Sequence, residues 1–110
     1  MTQEFLMRLD AGMLAYFRDM TDEMVARFGI SRAEAVARVN ARYGDLEISP
    51  YPDLMCHEDP VFWAYGAYYL PDAAGRLPCG DEEHDRHIDV AAPAVHPLPA
   101  PGSPAWRLAE

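Results

Sequence analysis

The residues best equipped for chemistry lie together at 57–59, where His57, Glu58 and Asp59 precede Pro60 and five aromatic rings, Phe62, Trp63, Tyr65, Tyr68 and Tyr69. A histidine beside two carboxylates is the outline of a general acid–base group, because proton transfer needs a titratable side chain whose pKa sits near the working pH. Neighbouring carboxylates raise that pKa and burial lowers it, and the sequence leaves the balance open. The same residues also have a structural reading. Asp59 can cap a helix that starts at Pro60, while His57 or Glu58 satisfies the polar edge of Trp63 or of a tyrosine.

A second set, Cys79, His84 and His87, with Cys56 and His57 further off, offers the thiol and imidazole donors that zinc prefers. No Cys-x-x-Cys pair accompanies them, and an acidic loop containing histidine is equally the composition of a solvated loop. The run His84-Asp-Arg-His87-Ile-Asp89 lacks the His-x-His-x-Asp-His spacing of metallohydrolases. Zinc is the one ion this donor set suggests; no other cofactor is expected. There is no Gly-rich phosphate loop, nucleophile elbow or dinucleotide fingerprint.

Charge narrows the partners. The net charge is −9, and its distribution is uneven: residues 1–44 hold six acids and six arginines, whereas residues 45–90 hold eleven acids and two arginines. An acidic middle repels a phosphate backbone and attracts basic proteins, so a basic protein partner is expected and nucleic acid is not. No stretch is apolar for long enough to span a membrane. The N-terminus lacks a basic region followed by an apolar run, and two cysteines make no disulfide framework, which together point to a cytoplasmic protein.

Helices must position these groups. Phe5, Leu9, Met13, Phe17, Met20, Met24 and Phe28 recur at steps of three and four, predicting a long amphipathic helix over 2–28, in one piece or broken near Gly12 or Thr21, and stopped by Gly29. Ser31-Arg-Ala-Glu34 has the spacing of a capping box and opens a second helix, 32–43, with Val36, Val39 and Tyr43 on its apolar face. The pair imitates a helix-turn-helix, whose DNA-reading form would need Arg32, Arg38 and Arg42 exposed on one face. Alternation at 45–49 and the apolar run 54–56 suggest short strands. Gly66 could end a helix begun at Pro60, leaving 66–70 as helix or strand. Turn residues dominate 71–80, and Asp81–Asp89 is mostly charged.

Phe28-Gly-Ile-Ser31-Arg-Ala-Glu-Ala and His57-Glu-Asp-Pro60-Val-Phe-Trp-Ala, followed by Tyr68-Tyr69, resemble a pair of motifs found in a group of small bacterial proteins with no assigned activity. The resemblance covers roughly residues 20–70. It implies the domain layout and no mechanism.

The sequence therefore predicts an α+β, mainly α domain over 1–90: a long first helix and a second helix packed on the aromatic segment, with a Pro-rich flexible tail over 91–110. The expected function is protein–protein interaction, as an immunity-type or antitoxin-type inhibitor of a basic partner. Trp63, Tyr65 and Tyr68 would anchor that partner, and Asp81, Glu82 and Glu83 would supply charge. The alternatives are a small-molecule or metal-dependent enzyme built on His57, Glu58 and Asp59, and a helix-turn-helix DNA binder.

Overall fold

Asp10 decides where the first helix begins. In the computed structural model, which describes residues 4–86, 88 and 94–108, one Asp10 carboxylate oxygen accepts the Met13 amide at 2.9 Å and the other accepts the Tyr51 amide at 2.9 Å. Helix α1 runs Ala11–Phe28 from that cap, and Gly29, at φ 66, closes it by donating its amide to the Val25 carbonyl. The helix expected from residue 2 thus starts nine residues later. Residues 4–7 bend instead, because the Asn40 side chain accepts the Leu6 amide and donates to the Glu4 carbonyl. Phe5 and Met7 are nevertheless buried. Neither Gly12 nor Thr21 interrupts α1; the Thr21 hydroxyl donates to the Arg18 carbonyl one turn back.

Helix α2, Arg32–Tyr43, has the predicted bounds, with the Ser31 hydroxyl accepting the Glu34 amide at 3.0 Å. The next element departs from expectation. Leu54–His57 form a 3-10 turn rather than a strand, since the Asp53 carboxylate accepts both the Met55 and Ser49 amides and curls the chain there. Residues 45–49 form no strand either. Helix α3, Pro60–Tyr68, carries straight through Gly66, and a four-residue helix α4, Glu82–Asp85, lies in the acidic loop. Among the described residues the sole β pairing is an isolated antiparallel bridge between Tyr69 and Val95. The molecule is mainly α, and the strands of an α+β fold are absent from the described residues.

The core is where α1 packs on both α2 and α3, and α2 on α3. Met13, Phe17, Met20 and Met24 from α1 meet Val36, Val39 and Tyr43 from α2, with Ala64 and Ala67 of α3 letting the helices approach. The four methionine and phenylalanine positions of α1 are the stripe read from sequence, used as core rather than as an adaptable groove. On α3 the small alanines face inward and the large rings lie at the margin. Two of them, with Tyr69 just past the helix end, surround Phe28 at the end of α1: Tyr68 stacks on it at 4.1 Å, and Tyr65 and Tyr69 meet it edge-on at 5.2 Å and 5.5 Å.

Residues 94–108, expected to run as a free tail, dock on α2. Arg38 is only 7% exposed; its Nε donates to Glu34 at 2.8 Å, its Nη1 to the His96 carbonyl at 2.8 Å, and its guanidinium lies over the Tyr68 ring. Asn40 donates to the Ala105 carbonyl, and the Trp106 indole N–H donates to the Pro99 carbonyl. The His96 and Ala105 carbonyls of the segment are thus bound by side chains of α2, and the His96 amide donates to the Tyr68 carbonyl. No helix among the described residues is long and apolar enough to cross a membrane.

Candidate functional site

The turn into α3 presents the charged trio, and the structure divides it. Tyr16 of α1 and Trp63 of α3 both donate to the Met55 carbonyl, at 3.1 Å and 2.9 Å, and Tyr16 also reaches the Glu58 carbonyl at 2.6 Å. The backbone is pinned from inside, so the side chains of 57–59 point outward. His57 is exposed, with Nδ1 2.6 Å from the Leu54 carbonyl and Nε2 3.9 Å from Glu58. Asp59 stands at the N-cap position of α3 but makes no side-chain capping bond, and its carboxylate is left on the surface.

Two clefts meet at Asp59. One, of about 300 Å³, is lined by Arg27, Glu58, Asp59, Val61, Phe62 and residues 79–81. The other, of about 380 Å³, is lined by Asp19, Asp22, Glu23, Arg27, Asp59, Pro60 and Val61. They share Arg27, Asp59 and Val61 and so adjoin as a groove with carboxylates along it and Val61 between the two parts. Phe62 is 40% exposed there. Arg27, the groove's cation, donates to Glu23 at 2.8 Å and lies near the Tyr65 ring; its hydrogen bonds to Glu23 and then Tyr65 hold it more firmly protonated than a free arginine. His57 lines neither cleft.

Of the aromatic anchors expected from sequence, Trp63 and Tyr68 are used internally. The indole N–H of Trp63 is bound to Met55, its carbonyl accepts the Tyr43 hydroxyl at 2.8 Å, and Tyr68 lies between Phe28 and Arg38. Phe62, which the sequence reading did not single out, is the ring that opens onto the groove. Asp81, Glu82 and Glu83 are exposed as expected, with the Asp81 carboxylate also capping α4. The acids of α1 were missed, although Asp19, Asp22 and Glu23, spaced three and four apart, mark one helical face.

At the edge of the groove, Cys79, which also lines it, and His84 and Asp85, which do not, offer one donor atom each within 4.8 Å of one another. The Asp85 carboxylate accepts the Cys79 and Gly80 amides at 3.0 Å and 3.1 Å, and the His84 Nε2 lies 3.1 Å from the Leu77 carbonyl. Burial is the main influence raising the Cys79 thiol pKa, so the free thiol is neutral. The sequence suggested Cys79 and His84 but not Asp85; His87, its third ligand, lies outside the described residues. Cys56 is not among these donors; its sulfur lies 3.6 Å from that of Met13.

The arginine face needed by a DNA-reading helix does not form. Arg38 is buried under the 94–100 segment, and Arg32 is paired with Asp22 at 3.0 Å. Arg38 and Arg42 instead line a hollow of about 190 Å³ with His96, Pro97 and Pro99. Burial, followed by the charge of Arg42, lowers the His96 pKa.

No protein-family model, curated protein or solved structure significantly matches the chain. Function has to be argued from its own geometry.

Proposed function

We propose that the protein captures a basic segment of a protein partner in the α1–α3 groove. The observation that carries this reading is the adjoining of two clefts at Asp59 and Val61, with Phe62 in one of them, where Asp19, Glu58, Asp59 and Asp81 add carboxylates beyond those of Asp22 and Glu23, which are paired with Arg32 and Arg27. Fixed charge of one sign speeds the encounter with an oppositely charged surface and selects among partners, while an apolar centre shielded from water provides the anchoring energy. A small acidic inhibitor of the immunity or antitoxin type, acting in the cytoplasm on a basic protein, has these properties. Nucleic acid is disfavoured by the same field.

The test compares the wild type with the Asp59→Lys/Asp81→Lys variant and with Phe62→Ala, each tagged and recovered from the cells that make the protein at low and at high salt. The wild type is expected to retain a basic protein in near-stoichiometric amount and release it as salt rises, because the attraction between exposed charges is screened. Charge reversal should abolish retention, and Phe62→Ala should weaken it even at low salt. A partner held equally by wild type and charge-reversed protein would rule out the groove as its binding site.

A further inference from the structure

We infer that Cys79, His84 and Asp85 form a binding site for a divalent transition ion of the zinc class. The three donors are a thiol, an imidazole and a carboxylate, a mixture that suits zinc or cobalt far better than calcium or magnesium, which take oxygen ligands. Their atoms lie within 4.8 Å of one another. Tetrahedral zinc, with bonds of roughly 2.0–2.3 Å, needs donor separations of about 3.5 Å, so closure takes side-chain movements on the order of 1 Å.

The turn that carries them is held independently of any ion. Gly80 adopts φ +89, and a Cβ there would meet the Tyr65 ring and the Arg27 guanidinium, each at 3.3 Å. A side chain at position 80 would be strained at that φ and would crowd Tyr65. Asp85 binds the amides of Cys79 and Gly80, which orients its carboxylate beside the thiol while leaving lone pairs for a cation. Such outer contacts orient metal ligands. On binding, the Cys79 thiol passes its proton to solvent and the sulfur coordinates as thiolate. Three protein ligands leave one position of a tetrahedral ion to water. Cys79 also lines one of the two clefts, but His84 and Asp85 line neither, so the metal site can fail while the docking reading holds, and the reverse.

Cobalt(II) titrated into the reduced full-length protein is the probe. One equivalent is expected to give a thiolate-to-cobalt charge-transfer band together with visible ligand-field bands, both removed by one equivalent of zinc. Cys79→Ser should abolish the charge-transfer band, His84→Gln should weaken zinc binding by roughly tenfold or more, and Cys56→Ser should change neither. Far-UV circular dichroism confirms that each variant is folded. In the wild type, zinc should slow alkylation of Cys79 and leave Cys56 unaffected, a readout that needs no substitution. Absence of the charge-transfer band at one equivalent, its persistence in Cys79→Ser, unchanged zinc affinity in His84→Gln, or equal alkylation of Cys79 with and without zinc would each overturn the assignment.

Discussion

The Tyr16 hydroxyl lies 2.6 Å from the Glu58 carbonyl and 3.1 Å from that of Met55, so a single phenol on α1 fixes the turn that presents the acidic rim. Burial first, and then the negative charge Cys56 carries once ionised, raise the Tyr16 pKa, which keeps the phenol a donor. In Tyr16→Phe the Met55 carbonyl still receives the Trp63 indole N–H, whereas the Glu58 carbonyl loses its side-chain donor. The expected loss is about 1–2 kcal/mol, read as a lower urea midpoint at unchanged slope. Retention of a basic partner should weaken as well, since Glu58 and Asp59 ride on that turn. A variant as stable as wild type would mean that water replaces the phenol without cost.

Asn40 ties both ends of the described chain to α2. Its Oδ1 accepts the Leu6 amide, and its Nδ2 donates to the carbonyls of Glu4 and Ala105. Asn40→Ala leaves three backbone groups to find other partners, at about 1 kcal/mol each, and is expected to cost about 3 kcal/mol in denaturant unfolding. Limited proteolysis should then cut within 94–108 much faster than in wild type. Unchanged protease resistance of that segment would show that Arg38 and the Trp106 contact hold it unaided.

Acid should loosen the molecule through its caps. Hydrogen bonds from Met13 and then Tyr51 lower the Asp10 pKa, and those from Met55 and Ser49 lower that of Asp53. Both folded-state values lie below the unfolded value of 3.8. The unfolded chain therefore takes up protons first on acidification. The stability these groups confer is present above that pH and is lost as pH falls through the depressed folded values. Melting temperature should drop across that window, and Asp10→Asn/Asp53→Asn should flatten the drop. A double variant with the acid limb of wild type would place the sensitivity elsewhere.

What the sequence disclosed was local. Ser31 and Glu34 gave the start of α2 because a capping box lies within four residues, and Gly29 gave the end of α1 because a left-handed closing residue favours glycine. The start of α1 differs because three-four spacing reports burial on one side, not helix; Phe5 keeps the spacing while the Leu6 amide and Glu4 carbonyl on either side of it are held by Asn40, 34 residues beyond Leu6 in sequence. The run 54–56 reads as a strand because a short apolar run carries no period, and the Asp53 contacts that curl it join residues on both sides of that aspartate. At the site, the acids of 81–83 were visible as composition. The groove was not, because it needs α1 and α3 side by side. The burial of Arg38 likewise depends on the His96 carbonyl, 58 residues away.

Gly66 offers the sharpest test of the packing between α2 and α3. In a helix interior, glycine to alanine ordinarily stabilises by roughly 0.5–1 kcal/mol. Here a Cβ would lie 2.9 Å from the Tyr43 hydroxyl, which is buried and donates to the Trp63 carbonyl at 2.8 Å. The ring is rigid and enclosed, so the hydroxyl can move aside only by giving up that bond. Gly66→Ala is therefore expected to destabilise by about 1–3 kcal/mol. Tyr43→Phe alone should cost about 1 kcal/mol, and in that background Gly66→Ala should become neutral or stabilising. The difference is a coupling energy measurable by a double-mutant cycle. An alkaline signature accompanies it: burial pushes the Tyr43 pKa up to about 12, against a usual 10.0, with the Arg42 charge opposing the rise. The unfolded phenol ionises first, so stability is full below pH 10 and is lost as pH rises through about 12. Tyr43→Phe should lessen that alkaline loss. If Gly66→Ala raises the melting temperature of the wild-type protein, the Tyr43 hydroxyl is free to swing away and the close approach of α3 to α2 does not depend on a glycine.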